Sequence, residues 1–600
     1  MFRPSHIDYK VPRPRLRPRP HPRPRSVSRL NPPRQHPLLA RATKPTAGAS
    51  DGSRSTIRAA GVRRSINRMH PAMRQGLSPF RPLPALPIRA PRPQSQARPL
   101  PCRWLTTSSS NGTNRGSACN HFVDSGKVEP TSSPPSRLPG SKPFRLAVKD
   151  NIAAAGFPTQ CASRILLGHA SPFEATIVRQ LRARGADVVG KTNMDEFGMG
   201  SHSTNSIHGP VHNPLSPDGE PLSAGGSSGG SAVAVLLGDA DLALGTDTGG
   251  SVRLPASYTG TVGYRPSYGM ISRYGVFPYA NSLDTVGFIA RDVQPMLDLL
   301  VKTKLDEEHD PQDPTSLSVA TRRRCATACP PTLQDNAQLT VGIPLEYNIA
   351  ELDPVIRRSW VAAASALEAQ GVKIVPVSLP STKEALCAYY VIAVAEASSN
   401  LAKYDGVRYG VRAPGSDAAG DTLYSETRGS GFGDEVKRRI LLGTYTLSSK
   451  AMDNYFIQAQ KVRRLIRRDF DRVFRLANPL QDPEQFDLSD MAEATGLEDK
   501  RGPPQVDFLL SPTTPSFAPK LRDVLENSST DAYMNDVFTV PASLAGLPAM
   551  SLPARTKESH LPVGLQLIAQ FWDDKRLLAM AERLKELVYR SAGERGGLGT

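Results

Sequence analysis

The sequence predicts an α/β protein with a mixed sheet, preceded by a basic, disordered extension rich in Arg, Pro and Ser. Three observations predict it. Short β-branched runs alternate with helical stretches from Phe144 onward, no internal repeat is present, and positive charge and proline are concentrated ahead of that point.

The extension comes first. Residues 1–110 hold 21 Arg and 2 Lys against 2 Asp and no Glu, a net of +21, and they hold 20 of the 55 prolines. The whole chain carries +18, so residues 111–600 sum to −3. The high isoelectric point therefore belongs to the front of the chain and not to a basic folded surface of the kind that binds nucleic acid. The segment PRPRLRPRPHPRPRS (Pro12–Ser26) lacks backbone donors at its prolines and shows no helical or strand period. The stretch Ser53–Arg81 is rich in Arg and Ser and free of acids, which predicts mitochondrial targeting and a matrix location. A basic arm that touches RNA or membrane, or a misassigned translation start, are the alternatives. Residues 111–143 read as a polar linker. The expected division is thus 1–115 for the extension with its linker, and 116–600 for one catalytic domain.

From Phe144 the elements follow in order. FRLAVKDNI gives a short strand and a polar turn. Pro172–Arg184 places Phe173, Ala175, Ile177, Val178 and Leu181 near one helical face, and Ala186–Val189 reads as a buried strand. The alternation continues through Ser231–Asp239, Leu339–Ile343, Pro354–Gln370, Val372–Val377, Val506–Leu510 and Gly564–Ala569, and a final helix runs from Asp573 to Arg590. Thr321–Leu333 (with TRRRCATACPP) and Val411–Gly431 read as surface insertions. No secretory leader and no run of 18 apolar residues is present, which argues against secretion and membrane spanning. Six cysteines are too few for a disulfide framework, and Cys325 and Cys329 lack the neighbours of a zinc set, so no metal is expected.

Two formal motif matches do not meet the needs of their mechanisms. GADVVGKT (185–192) fits a phosphate-binding loop, but Ala186–Val189 reads as the strand itself and offers no glycine-rich cradle. GGSSG (225–229) fits a nucleophile elbow, but a turn-rich loop precedes it and no Ser–acid–His order follows.

The residues that carry chemistry lie between Leu222 and Gly269. Two Gly/Ser/Thr clusters, AGGSSGGS and GTDTGGS, are separated and flanked by apolar runs that bury and fix them. Glycines let successive N–H groups converge beside a serine hydroxyl, which is what a tetrahedral oxyanion requires.

With AVKDNI (147–152) and VVGKTNMDEFGMG (188–200), these clusters resemble the amidase signature family. That family's fold is a large mixed sheet covered by helices on both faces, and its chemistry uses a Ser–cis-Ser–Lys triad. The resemblance implies Ser251 as nucleophile, Ser227 as bridging serine and Lys149 as base, with an oxyanion hole of N–H groups from Thr248, Gly249, Gly250 and Ser251. A serine nucleophile needs a base, and a lysine buried away from counter-charges becomes one. Asp150 follows Lys149 but, in a strand, faces the other way.

Segments such as YYVIAVAEASSNLAKYDGVRYG (389–410) and YMNDVFTVPASLAGLPAMSLP (533–553) are most similar to the branch of glutaminase A subunits of glutamyl-tRNA(Gln) amidotransferases, over most of 144–590. That resemblance implies glutamine as substrate, with Arg439 for its carboxylate, Asp536 for its ammonium and Tyr389 lining the pocket. It also implies two partners, the B subunit of such complexes together with a small third subunit. Glu-tRNA(Gln), ATP and Mg²⁺ would be handled mainly by the B subunit, and no cofactor would be held by this chain. The alternative is a stand-alone amidase for small or fatty amides, which needs no such charge pair. The sequence departs from the family in two ways: the lead-in SRLPGSKPFRLAVKDN lacks the family's Gly-Val-Pro approach, and the two insertions flank the expected site.

Overall fold

The computed structural model describes residues 118–123, 135–217, 219–414, 422–481, 505–526 and 529–593. The extension at 1–115, and with it the targeting segment, lies outside the described residues.

Among the described residues, ten strands form one mixed sheet: β1 (Phe144–Lys149), β2 (Ala186–Thr192), β3 (Leu242–Asp247), β4 (Val262–Arg265), β5 (Thr285–Ala290), β6 (Thr340–Pro344), β7 (Lys373–Val377), β8 (Phe508–Pro512), β9 (Ala549–Ala554) and β10 (Val563–Ala569). Their order is β2-β1-β3-β5-β4-β9-β10-β8-β6-β7. Pairing is parallel at both ends of the sheet, where β1 lies between β2 and β3 and where β6 lies between β8 and β7. It is antiparallel through the middle, from β3 to β8. The expected α/β class and mixed sheet are both present.

Strand periodicity explains how both faces are covered. Successive side chains point to opposite faces, and along β1 and β3 they do so into two separate cores. Leu146, Val148, Leu242 and Leu244 enter the large core, whereas Ala147 and Ala243 join Ala232, Ala234 and Val235 of the helix Gly229–Leu237.

The helices that matter to the site are α1 (Thr176–Ala183), α2 (Gly229–Leu237), α3 (Arg253–Thr259), α4 (Pro354–Ala369), α5 (Ala385–Asn400), α6 (Asp434–Thr446), α7 (Phe456–Val473), α8 (Val540–Ala545) and α9 (Asp574–Gly593). Helix α4 starts where its sequence says it should: Pro354 occupies the first turn and the Asp353 carboxylate accepts the Val355 N–H at 2.7 Å. Helix α2 is short, buried through Val235, and stopped by Gly238 in the left-handed region. Helix α1 begins four residues later than predicted, because the Ser171 hydroxyl closes a turn onto the Phe173 carbonyl. Helix α5 lies within Pro380–Lys403, a stretch long and apolar enough to span a membrane, but half of that stretch is buried inside the protein.

Thr321–Leu333 is mostly exposed, as a surface stretch should be, but Val319–Ala328 is helical, and Arg322 and Cys325 inside it are buried. The Arg322 guanidinium donates to the carbonyls of Leu317, Asp306, Gly269 and Met270, which explains how an arginine sits there without a carboxylate. Strand β2 runs past the expected end at Val189 to Thr192, and Lys191 within it is fully buried, 3.4 Å from Asp150 and hydrogen-bonded to the Thr159 hydroxyl at 3.0 Å. The same strand excludes a phosphate-binding loop at 186–192. The other insertion, 411–431, is mostly exposed where described, and 415–421 lie outside the described residues. The 118–123 segment docks on the edge of the sheet, with the Val123 N–H donating to Lys191 O at 2.8 Å.

Candidate active site

The parallel strands β1 and β3 end side by side, and the site is built at their carboxyl ends, where open α/β sheets place ligands. Lys149 is the last residue of β1. Ser227 and Ser228 stand just ahead of α2, and Thr248–Val252 connect β3 to α3. Three stretches distant in sequence thus converge.

Lys149 is completely buried. Its Nζ donates to Ser227 Oγ at 2.7 Å, Ser228 Oγ at 2.8 Å and Thr246 Oγ1 at 2.9 Å. All three acceptors are neutral hydroxyls. Burial lowers the pKa to about 7, against the opposing pull of the more distant carboxylates Asp195, Asp247 and Asp284. Asp150, as expected from strand alternation, pairs with Lys191 instead. The amine is therefore available as a base near neutral pH.

Ser227 follows a cis peptide bond from Gly226 and is 1% exposed. That burial rules out the nucleophile-elbow reading, which needs an exposed serine. Ser251 is 9% exposed. Its carbonyl accepts the Ser228 N–H at 3.2 Å, and its hydroxyl has no hydrogen-bond partner among the described residues. The chain of contacts thus runs from Lys149 to Ser227, with Ser251 held beside them by backbone. In unliganded sites the final hydrogen bond to the nucleophile commonly forms only with substrate.

The loop between β3 and α3 presents four N–H groups, of Thr248, Gly249, Gly250 and Ser251, with no acceptor among the described residues. Everything around them is anchored. Thr248 Oγ1 donates to Asp284 at 2.8 Å, Thr539 Oγ1 donates to Gly249 O at 2.7 Å, and the Leu254 N–H donates to Gly250 O at 2.8 Å. Beneath the loop, Asp247 receives both ends of the fully buried Arg253 guanidinium at 2.9 Å. The glycines are required by space. A Cβ on Gly249 would lie 2.7 Å from the Tyr389 hydroxyl, and one on Gly250, whose φ is +147°, would lie 2.8 Å from Thr539 Cβ. Gly250→Ala is accordingly expected to cost about 1–3 kcal/mol of stability by overpacking and to lower turnover by more than ten-fold, measured by denaturant unfolding and initial rates.

The predicted binding residues gather next to this loop. Tyr389 and Tyr390 are adjacent on α5, with ring centroids 4.9 Å apart. Tyr390 OH donates to Asp536 Oδ2 at 3.0 Å, and Ser201 Oγ donates to the same oxygen at 2.9 Å. Burial raises the Asp536 pKa to about 7. Arg439, also buried, projects from α6 into a cage of Tyr279, Tyr390 and Tyr533, each ring centroid 5.5–5.6 Å from its guanidinium carbon. Its Nε donates to Glu435 at 2.8 Å and its Nη1 to Tyr279 OH at 2.8 Å, while Nη2 has no partner among the described residues. Helix α6 can approach α5 closely because Gly443 lies against the Val394 carbonyl.

The structure thus brings together every residue that the sequence singles out, and adds several. Glu435 is signalled by EVKRR, in which an acid stands four residues before Arg439, the helical spacing of an ion pair. Thr246, Ser228, Ser201, Tyr279, Tyr390 and Tyr533 carry no comparable signal. Among the described residues no group of His, Cys, Asp or Glu could hold a metal ion.

Comparison with known proteins identifies the family. Residues 145–578 match the Amidase family. The A subunit of the mitochondrial glutamyl-tRNA(Gln) amidotransferase of Fusarium vanettenii is 74% identical over 448 residues, which cover 75% of this chain and 88% of its own length. The protein of the same name from Neurospora crassa is 59% identical over 489 residues, covering 74% and 90%. Among solved structures, the A subunit of the glutamyl-tRNA(Gln) amidotransferase of Thermotoga maritima superposes with a TM-score of 0.58 at 34% identity, covering 77% of this chain and 86% of that one. With the family match running from β1 into α9, and with the clustered Lys, Ser and Gly residues of its signature in place, the chain belongs to the amidase family.

Proposed function

We propose that this chain is the glutamine-hydrolysing subunit of a glutamyl-tRNA(Gln) amidotransferase, acting in the mitochondrial matrix with a B subunit plus a small third subunit. The observation that carries the substrate assignment is the buried pair of Arg439 and Asp536, bridged by Tyr390, beside the four free N–H groups. A free amino acid presents a carboxylate and an ammonium together. Arg439 offers Nη2 to the first and Asp536 its carboxylate to the second, and a simple or fatty amide needs neither.

In the proposed reaction, neutral Lys149 takes a proton from Ser227 as Ser227 takes one from Ser251. Ser251 Oγ then attacks the side-chain amide carbon of glutamine. The oxyanion is received by the N–H groups of residues 248–251, where each donor is worth roughly 3 kcal/mol. The proton returns through Ser227 to the leaving nitrogen, ammonia departs, and a γ-glutamyl ester remains on Ser251. Water attacks the ester by the reverse proton route, releasing glutamate. Ammonia passes to the partner, which uses ATP and Mg²⁺ to activate glutamate on tRNA(Gln). The names and identities of the relatives support this placement.

The test is ammonia release by residues 111–600, with and without the co-expressed B subunit plus its small partner. Glutamine turnover that requires the partners, with a KM raised about 10–100-fold in Arg439→Ala by loss of a charged hydrogen bond, is the expected result. Ser251-dependent cleavage of simple amides with no glutamine turnover under any partner condition would identify a stand-alone amidase instead.

A further inference from the structure

We infer that Tyr279 and Asp284 are positioning residues that couple recognition of the substrate's carboxylate at Arg439 to the oxyanion loop at Thr248. The inference rests on the glutaminase reading and deepens it.

Asp284 is fully buried, and its carboxylate is held at both ends of the site. Oδ1 accepts Thr248 Oγ1–H at 2.8 Å, on the first residue of the oxyanion loop. Oδ2 accepts the Tyr279 N–H at 2.8 Å and the Ala280 N–H at 3.0 Å. Tyr279 is then fixed at two more points. Its carbonyl accepts Asn400 Nδ2–H at 3.0 Å, and its hydroxyl accepts Arg439 Nη1–H at 2.8 Å. The result is an unbroken path of short bonds from guanidinium to phenol, backbone, carboxylate and threonine hydroxyl. Arg273, 3.9 Å from Asp284 Oδ2, adds a counter-charge that favours the ionised carboxylate beside these hydrogen bonds.

The consequence concerns where specificity is expressed. A carboxylate seated on Arg439 Nη2 sets the guanidinium plane. That plane sets the Tyr279 hydroxyl, and the clamp at Asp284 sets Thr248. Binding energy gained far from the reacting carbon is thereby directed to transition-state stabilisation, so glutamine should differ from truncated amides in kcat as well as in KM. Neither Tyr279 nor Asp284 needs to touch the substrate to act in this way.

The experiment uses the assembled complex and two substrates: glutamine, and 4-aminobutanamide, which is glutamine without its α-carboxylate. Tyr279→Phe keeps the ring under Arg439 and removes only the hydroxyl. It is expected to lower kcat for glutamine about ten-fold, the size of one hydrogen bond to a charged group, with KM changed less than about two-fold and kcat for 4-aminobutanamide lowered by a clearly smaller factor. Asp284→Asn should lower kcat on both substrates, since both need Thr248 in place, and Asp284→Glu should not restore it. A Tyr279→Phe enzyme that loses only KM, or a wild-type kcat for 4-aminobutanamide equal to that for glutamine, would overturn the coupling. If 4-aminobutanamide is not turned over measurably, the kcat–KM split of Tyr279→Phe on glutamine decides alone. No glutamine turnover by the wild-type complex, alongside Ser251-dependent cleavage of simple amides, would instead bring down the underlying glutaminase reading, so the two failures are distinguishable.

Discussion

Ser251→Ala is expected to abolish ammonia release from glutamine, with kcat at least ~10⁴-fold lower, because removal of a serine nucleophile leaves only the residual effect of binding and the oxyanion hole. Fold and partner binding should survive. The serine is the least buried member of the set, and its hydroxyl makes no hydrogen bond among the described residues that the alanine would leave unsatisfied. Ser227→Ala is a harsher change, since it strips one of the three hydroxyls that receive the Lys149 amine. Initial rates of ammonia release, with circular dichroism and co-purification of the partners as controls, check both. Activity within about ten-fold of wild type in Ser251→Ala would place the nucleophile elsewhere.

The second large effect concerns Lys149 and pH. The base must be neutral to act, and its pKa lies at about 7, depressed by burial. The neutral fraction therefore grows as pH rises: kcat should climb about ten-fold per unit below pH 7 and level off above it. Asp536, raised by burial to about 7, must be ionised to pair with an ammonium. It acts in the same direction, so kcat/KM should fall more steeply than kcat on the acid side. Lys149→Met removes the base and should lower kcat by roughly 10²–10⁴-fold, the usual contribution of general base catalysis. A kcat that is flat from about pH 6 to pH 9 in the wild type would show that Lys149 does not titrate during turnover.

Much of this site is legible in the chain, and what is not follows a physical rule. The glycine-rich clusters mark the region, the resemblance of their segments to the amidase family singles out Lys149, Ser227 and Ser251 within it, and Arg439 and Asp536 stand in segments whose resemblance to glutaminase subunits is specific. What the chain alone does not reveal depends on register and packing. Thr246 receives the Lys149 amine only because β3 pairs in parallel with β1, Leu146 opposite Leu242. Tyr533 reaches Glu435 from 98 residues away, and Tyr390 bridges two charged residues that lie on different elements. Arg322 escapes a sequence reading for a related reason. Three consecutive arginines suggest a solvated surface, and nothing in the local sequence shows that the carbonyls of Asp306, Gly269 and Met270 join that of nearby Leu317 around the first of them. Strands and helices are legible where β-branched runs or caps mark them, as in β6 and α4, and shift by a few residues where a side chain closes a turn, as at Ser171.

The central claim is that Ser251 is acylated by glutamine. Its most direct test is acid quenching of the assembled complex during turnover of isotopically labelled glutamine, followed by mass spectrometry of the peptides. A γ-glutamyl ester on Ser251, absent in Ser251→Ala and diminished in Arg439→Ala, is the predicted result. Label recovered on another residue, or steady ammonia release with no acylated peptide at any quench time, would contradict it.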